Sequence, residues 1–359
     1  MSRLPRGLWL LCATAFTLQA CGGGGTGPTP AKLANPANTA AQLQSLSAPT
    51  ATGTFQSFAL LLPHFAAAGS APFITGAALI VAPGPVLAWS TAATGALREA
   101  FASQPIAAAI FPDSARGKTF VWDTTSDRYV TSTAAGAPAN GVRFLLYAVQ
   151  PFAIVPARPL SMIGYVDLTD QTTPSAAVLG VAIVGTTGPT PVAYASYTLS
   201  RLVGQSAGAS LAGFVSDGVT RLDLTSALTA TLTAFTVQTT VDVAAQGVHI
   251  SETASVSGAA SVAITTDFSL TSGGETVRAN GTVTVDTATR TVGGSIAVTV
   301  NGQPFATITV GPAGPSYSGA SGVQLTPADQ TALRSLFTAS INLFATVFLL
   351  TEPALVLNL

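Results

Sequence analysis

The clearest pattern in this chain is an alternation of apolar and polar residues between residues 233 and 310. Phe235 and Val241 fall on one face of an extended segment, and Thr236 and Asp242 fall on the other. The same period returns in five further segments: 248–256, 262–270, 277–285, 292–300 and 305–310. A period of two predicts β-strands with one covered and one solvated face. The connections are short and include a tight-turn signal at Asn301-Gly302, so we expect consecutive strands to pair antiparallel.

Strand character begins earlier, at Thr119, and we assign residues 119–325 to an antiparallel β region. Two β-rich runs flank a polar tip at residues 124–127, which predicts a hairpin in which Asp123 pairs with Arg128. Further strands are expected over 142–149, 163–168 and 178–184. The Gly/Ser/Pro-rich stretch 311–322 is typical of a connector loop.

Helical spacing is found at both ends of the chain. Residues 38–118 are rich in alanine, with short helices expected after a cap at Asn38, around Phe55 and Phe58, and from Thr94. Residues 326–359 begin with a hydroxyl cap and a proline at the first helical position. The apolar run 341–350 is too short to span a bilayer and indicates a core helix, which Pro353 should end before a return as a strand.

These elements predict an α+β fold: a large antiparallel β-meander, short N-terminal helices, and a C-terminal helix on the apolar face of the sheet. Phe235, Phe268 and Ile296 are expected to face the interior. Phe344 of the C-terminal helix should cover them and, with them, be the residues that meet an apolar ligand if one binds there. The wider set expected in this interior comprises Val241, Ile264, Val283, Leu336, Phe337 and Ile341.

The first 21 residues predict where the protein resides. A basic start and an apolar run from Gly7 to Leu18 form a secretory signal, and Leu18-Gln19-Ala20-Cys21 resembles the lipobox of bacterial lipoproteins. The resemblance implies a signal peptide over residues 1–20, a lipid on Cys21, and a flexible tether over residues 21–37. It also implies an address in the bacterial cell envelope. Gly22 after the cysteine favours the outer membrane, with the protein facing the periplasm or the cell surface.

The charge and composition of the mature chain limit the classes of partner it is expected to bind. Removing residues 1–20 takes Arg3 and Arg6 from the 14 basic residues and leaves 12 against 15 acidic ones, a net charge of −3. Without a basic cluster we expect no nucleic-acid binding, and the membrane is expected to be reached through the lipid anchor. Only two histidines and two cysteines occur, which predicts neither a cofactor nor a metal site. Asp167 and Asp170 are the candidates for a carboxylate calcium site, although solvated turn acids explain them more simply.

Catalysis is the weakest of three function classes. Gly204-Gln205-Ser206-Ala207-Gly208 resembles the nucleophile elbow of α/β-hydrolase esterases, which implies Ser206 as nucleophile and His249 as its base. His249 falls in a strand on the hydroxyl-rich face, and the HGGG-type oxyanion loop expected upstream of Ser206 is missing. We therefore assign no catalytic residue. The chain is expected to be a non-enzymatic lipoprotein that binds an apolar ligand or another envelope component, or a structural lipoprotein without a ligand.

Two architectures suit this pattern. The outline loosely resembles periplasmic lipid- and lipoprotein-carrying half-barrels, in which a curved sheet folds over helices; the resemblance is one of architecture and includes no motif. Strands of this length with one apolar face would also suit a transmembrane β-barrel. The lipobox, the helical first third and the scarcity of aromatic residues favour the half-barrel.

Overall fold

The computed structural model describes residues 31–61, 109–150, 155–202, 208–230, 234–258, 261–286, 288–289 and 291–357. Cys21, His64, the helix candidate from Thr94, and Ser206 lie outside the described residues.

In this part of the chain the strands form one sheet of 15 members, and the α+β meander predicted from sequence is confirmed. The strands are β1 (Lys118–Asp123), β2 (Arg128–Ser132), β3 (Gly141–Tyr147), β4 (Met162–Asp170), β5 (Ala176–Gly185), β6 (Val192–Leu202), β7 (Gly208–Ser216), β8 (Arg221–Ala230), β9 (Ala234–Val243), β10 (Val248–Ser257), β11 (Ser261–Ser272), β12 (Glu275–Asp286), β13 (Thr291–Val300), β14 (Gln303–Gly311) and β15 (Gly314–Gly319).

Neighbours in the sheet follow chain order from β3 to β15, and β1 lies between β3 and β2. All pairs are antiparallel except β1 with β3. Strand β2 folds back antiparallel along one edge of β1. Strand β3 then returns in the direction of β1 and pairs with its other edge, so β1 and β3 are parallel. The six strands predicted from alternation correspond to β9–β14.

Strand β15 corrects the prediction of a connector over residues 311–322. Its Gly/Ser/Pro composition disfavours a strand, but pairing with β14 from Ala306↔Gly319 to Gly311↔Gly314 supplies a ladder of hydrogen bonds that composition does not reveal. Tyr317 of β15 packs against the core.

Two glycines allow neighbouring strands to approach closely. Gly213 on β7 has φ +153°, and a Cβ there would lie 2.2 Å from the carbonyl oxygen of Ser196 on β6. Gly294 on β13 has φ +158°, and a Cβ would lie 2.3 Å from the carbonyl oxygen of Thr282 on β12. Glycines of this kind mark tight bends in a sheet, so any side chain at either position would force these strands apart.

Within the described ranges, three α-helices accompany the sheet: α1 (Pro36–Ser45), α2 (Gly53–Leu61) and α3 (Pro327–Val356). The cap of α1 is Asn35, and the predicted cap Asn38 instead donates its N–H to the Asn35 side chain. The helix begins after Asn35 because Pro36 suits the first helical position. Helix α3 begins as predicted, with a reciprocal capping box between Thr326 and Asp329.

The end of α3 differs from the prediction. Pro353 lies inside the helix, which continues to Val356 instead of returning as a strand. A proline in the last turn removes only one helical N–H, and the Pro353 carbonyl still accepts from the Leu357 N–H at 3.0 Å.

The length of α3 also differs from the prediction. The stretch Pro327–Ala354 is long and apolar enough to cross a bilayer by length and composition, unlike the shorter run read from sequence. More than half of its most apolar window is buried inside the molecule, as in a core helix.

The apolar side chains of the strands point to one face of the sheet, here called the inner face, and the three helices share a single core with it. Helix α2 packs against β3, β4 and β5, where the Tyr147 N–H donates to Ser57 Oγ at 3.1 Å. Helix α1 lies along α3, where Gln44 Nε2 donates to Ser335 Oγ at 3.2 Å. The inner face of the later strands is therefore covered by residues from both ends of the chain.

Candidate functional site

The inner face under α3 contains all four residues that the sequence suggested as ligand-facing. Phe235 on β9, Phe268 on β11, Ile296 on β13 and Phe344 on α3 are buried. The Phe235 ring meets the Phe344 ring edge-on, with centroids 6.4 Å apart and planes at 77°. Phe348, one helical turn further on, meets Phe235 in the same manner at 6.2 Å. These aromatic contacts fix the helix over β9 and fill the space between them with protein atoms.

A carboxyl group lies in the middle of this apolar face. Glu252 on β10 is 4% exposed, and Ile250 and Ala254, two positions before and after it on the same face, are also buried. Its direct neighbours across the ladder are Thr239 on β9 and Phe268 on β11. Glu252 was not predicted as a site residue, although the alternation that places Ile250 and Val256 inside also places position 252 inside.

Hydroxyl groups continue from Glu252 in two directions. On the sheet, Thr239 exchanges a hydrogen bond of 3.0 Å with Ser226 of β8, and both side chains are buried. Towards the helix, the Ser340 hydroxyl of α3 and the Thr266 hydroxyl of β11 both donate to Glu252 Oε1, the latter at 3.2 Å. Thr266 and Ser340 also lie within 3.3 Å of each other. A polar row therefore crosses the apolar face and ends on α3.

Burial controls the acidity of this carboxyl. Loss of solvent raises the pKa of Glu252 from 4.5 to about 7, and the hydrogen bonds from Ser340 and Thr266 act in the opposite direction. Desolvation disfavours the charged form of an acid, whereas donated hydrogen bonds favour it. The burial effect is the larger, so a carboxyl that is ordinarily ionised near neutral pH is partly protonated here.

Several apolar residues expected in the interior are not fully covered. Ile264 and Val283, which oppose each other on β11 and β12, are half-buried, as is Phe337 of α3. Ile341, expected to be covered, is 39% exposed. The correction has a geometric cause: Ser340 faces the sheet, and the next residue of a helix is turned by about 100° from it. Phe337 and Ile341, separated by four positions, share that side of the helix.

The hydroxyl-rich outer face holds the histidine considered for catalysis. His249 lies in β10 as predicted, with its Nδ1 atom 2.7 Å from Asp242 Oδ1 and more than half of its side chain exposed. Because Ser206 lies outside the described residues, its distance from this pair is not defined. The pair is an exposed cross-strand contact on the face opposite to the core.

The acids near the first hairpin have protein partners. The predicted hairpin is confirmed, and Asp123 and Arg128 are direct partners in the β1–β2 ladder. The Asp123 carboxylate also accepts hydrogen bonds from the backbone of Thr125 and Ser126, as a short carboxylate that caps its own turn. These bonds, with one from the Ser126 hydroxyl, lower the pKa of Asp123.

The two acids considered for calcium are also engaged. Asp167 accepts two hydrogen bonds of 2.6 Å from Arg143, and Asp170 accepts the N–H of Ile110 at 3.0 Å. Among the described residues, no group of three or more His, Cys, Asp or Glu side chains could hold a metal ion. The buried polar row at Glu252 has no such ion pair or turn contact among the hydrogen bonds given above.

Comparison with protein-family models, with curated proteins and with solved structures finds no match to this chain. Its function therefore has to be inferred from its own residues.

Proposed function

We propose that this protein is a non-enzymatic lipoprotein of a bacterial envelope, anchored through lipid on Cys21, and that it binds an apolar ligand on the inner face of its sheet beside α3. The lipobox-like sequence Leu18-Gln19-Ala20-Cys21 supports the anchor. Two or three acyl chains, each methylene contributing about 0.8 kcal/mol, suffice to hold a folded body on a membrane without a spanning helix. The Gly-rich residues 22–25 would give that body freedom of movement.

The observation that carries the ligand proposal is the incompletely covered apolar strip beside α3. Ile264 and Val283 on the sheet and Phe337 on the helix are half-buried, and Ile341 is 39% exposed. A single exposed isoleucine is ordinary on a protein surface. Ile341 shares one side of α3 with Phe337, and Ile264 lies two positions from Thr266, whose hydroxyl meets Ser340 of the helix. We therefore group these side chains as one strip beside α3, an apolar surface that a ligand would cover.

The chemistry around the strip indicates the ligand class. The polar groups next to it are the hydroxyls of Thr266 and Ser340 and the carboxyl of Glu252, and the strip itself is aliphatic and aromatic. An acyl chain ending in a hydroxyl, amide or ester group suits this set. A ligand with its own carboxylate would bring a second acidic group into a poorly solvated place and is disfavoured.

One observation favours the runner-up, a structural lipoprotein without a ligand. Phe235 and Phe268 are covered by protein, and Phe344 and Phe348 both meet Phe235 edge-on, which fills the space between β9 and α3. The two functions differ in one measurable property, which is saturable binding of an apolar probe at the strip.

The experiment uses Cys21→Ser protein, so that acyl anchors and detergent do not compete, and titrates it with the fluorescent probe N-phenylnaphthylamine. We expect saturable binding that a long-chain fatty alcohol displaces. Ile341→Asn should weaken binding at least about fivefold, since about 1 kcal/mol of apolar contact is lost. The matched control is Val219→Asn, since Val219 is 92% exposed in the turn between β7 and β8. This variant should bind the probe as tightly as the parent protein. Non-saturable binding, or equal effects of the two variants, would refute the ligand proposal and favour the structural role.

A further inference from the structure

The buried carboxyl joins the sheet to the helix that covers it. Glu252 Oε1 accepts from Ser340 of α3 and from Thr266 of β11, so one oxygen atom connects two strands and the helix. The contact lies near the middle of α3, between the core residues Leu336 and Phe344. A change in this contact therefore acts on the centre of the helix and not on an end that frays.

Among the described residues, the elements around Glu252 bring no charged partner to it. Helix α1 has no ionisable residue, and the single ionisable residues of β9 and β11 are Asp242 and Asp267, on the outer face. On α3 the ionisable residues are Asp329, Arg334 and Glu352, all more than one helical turn from Ser340. Within the described chain, the groups that meet the carboxyl are hydroxyls and apolar side chains.

This environment favours a neutral carboxyl. In the protonated form, Oε1 still accepts from Ser340 and Thr266, and no net charge is buried. In the ionised form, the carboxylate has two hydroxyl donors in place of the hydration shell it would have in water. Two donors do not compensate for that shell, so ionisation carries a large desolvation cost. Movement of Ser340 away from the sheet would admit water, because Ser340 and Thr266 are only half-buried and the adjacent Ile341 is exposed.

We infer that Glu252, Thr266 and Ser340 form a protonation-dependent latch that holds the centre of α3 against the sheet when the carboxyl is neutral and loosens it when the carboxyl ionises. The latch depends on the contact between sheet and helix and stands whether or not a ligand binds beside α3. Its effect is a change in the population of an open state, in which the segment around residues 336–348 leaves the inner face.

The size of the effect follows from the two environments. With a pKa of about 7 in the closed state and 4.5 in the open, solvated state, the opening constant of α3 rises about 30-fold between pH 5.5 and pH 8.5. The sign is fixed because the open state releases the proton more readily, so higher pH favours opening.

Hydrogen–deuterium exchange of the purified wild-type protein tests the latch. After correction for the intrinsic pH dependence of exchange, peptides covering 336–348 should show opening that increases about 30-fold from pH 5.5 to pH 8.5. Peptides from β5 exchange only through global unfolding, which exposes Glu252 as well, so they should stay more protected than 336–348 at both pH values and show that the opening of α3 is local. Wild-type α3 peptides with no pH-dependent opening would overturn the inference.

Matched variants assign the effect to Glu252. Glu252→Gln removes the titration and should abolish the pH dependence, whereas Glu275→Gln, the same change at a half-buried glutamate beside the turn between β11 and β12, should retain it. If Glu252→Gln does not fold, Ser340→Ala is the second test of the latch. It should increase the opening of 336–348 at both pH values, and the pH dependence should persist. Equal pH dependence in Glu252→Gln and wild type, or unchanged opening in Ser340→Ala, would refute the latch.

Discussion

Truncation of Phe344 tests how tightly α3 is packed on the sheet. Phe344 is 9% exposed and meets Phe235 and Phe348 through ring contacts at 6.4 and 6.2 Å. A buried phenylalanine reduced to alanine usually costs 3–5 kcal/mol, so we expect Phe344→Ala to lower the free energy of unfolding by about 3–4 kcal/mol. About 1 kcal/mol of that loss comes from the two ring contacts.

The matched comparison is Ile341→Ala on the same helix. Ile341 keeps 39% of its surface exposed, and alanine has the higher helix propensity by a few tenths of a kcal/mol. We expect this change to cost less than about 1 kcal/mol. Guanidinium unfolding of both variants in the Cys21→Ser background, followed by far-UV circular dichroism, measures the difference. Similar costs for the two variants would mean that Phe344 borders open space and that the packing inferred for α3 is wrong.

Three further outcomes are expected. Wild-type protein should lose about 3 kcal/mol of stability as pH rises from about 4.5 to 7, because folding raises the pKa of Glu252. Glu252→Gln should lack this loss. Urea denaturation at several pH values measures both stabilities, and parallel profiles for the two proteins would contradict the expectation. Cys21→Ser should move the protein from the detergent phase to the aqueous phase of a phase-partition extraction, and wild-type protein already in the aqueous phase would exclude the anchor. Ser206→Ala should leave fold and probe binding unchanged, whereas labelling of Ser206 by a fluorophosphonate would reopen the esterase alternative.

Sequence alone predicted the parts of the fold that repeat. The alternation in β9–β14 was sufficient because each strand has a covered and a solvated face, and a slip of one residue would invert both. The start of α3 was equally readable, since Thr326 and Asp329 cap the helix through local contacts. Such features depend on residues close together in the chain.

Features decided by tertiary contacts were missed or wrongly predicted. Strand β15 forms because β14 offers it an edge, and α3 passes Pro353 because the surrounding core holds the last turn. Glu252 was overlooked because an acid in an apolar register has meaning only when its hydroxyl partners Thr266 and Ser340 are known, and Ser340 is 88 residues away in the chain. Local propensity contains no information about such contacts.

The order of strands in the sheet has a consequence for how the molecule matures. From β4 to β15 each strand pairs with its predecessor, so the sheet can grow strand by strand as the chain emerges, with little entropy lost at each closure. The cover arrives last, because α3 follows β15 and packs against α1, almost 300 residues earlier. Until then the apolar side of a growing sheet faces solvent with an unpaired edge, a state prone to aggregation. Docking of the final helix therefore ends the interval in which the sheet is exposed to aggregation.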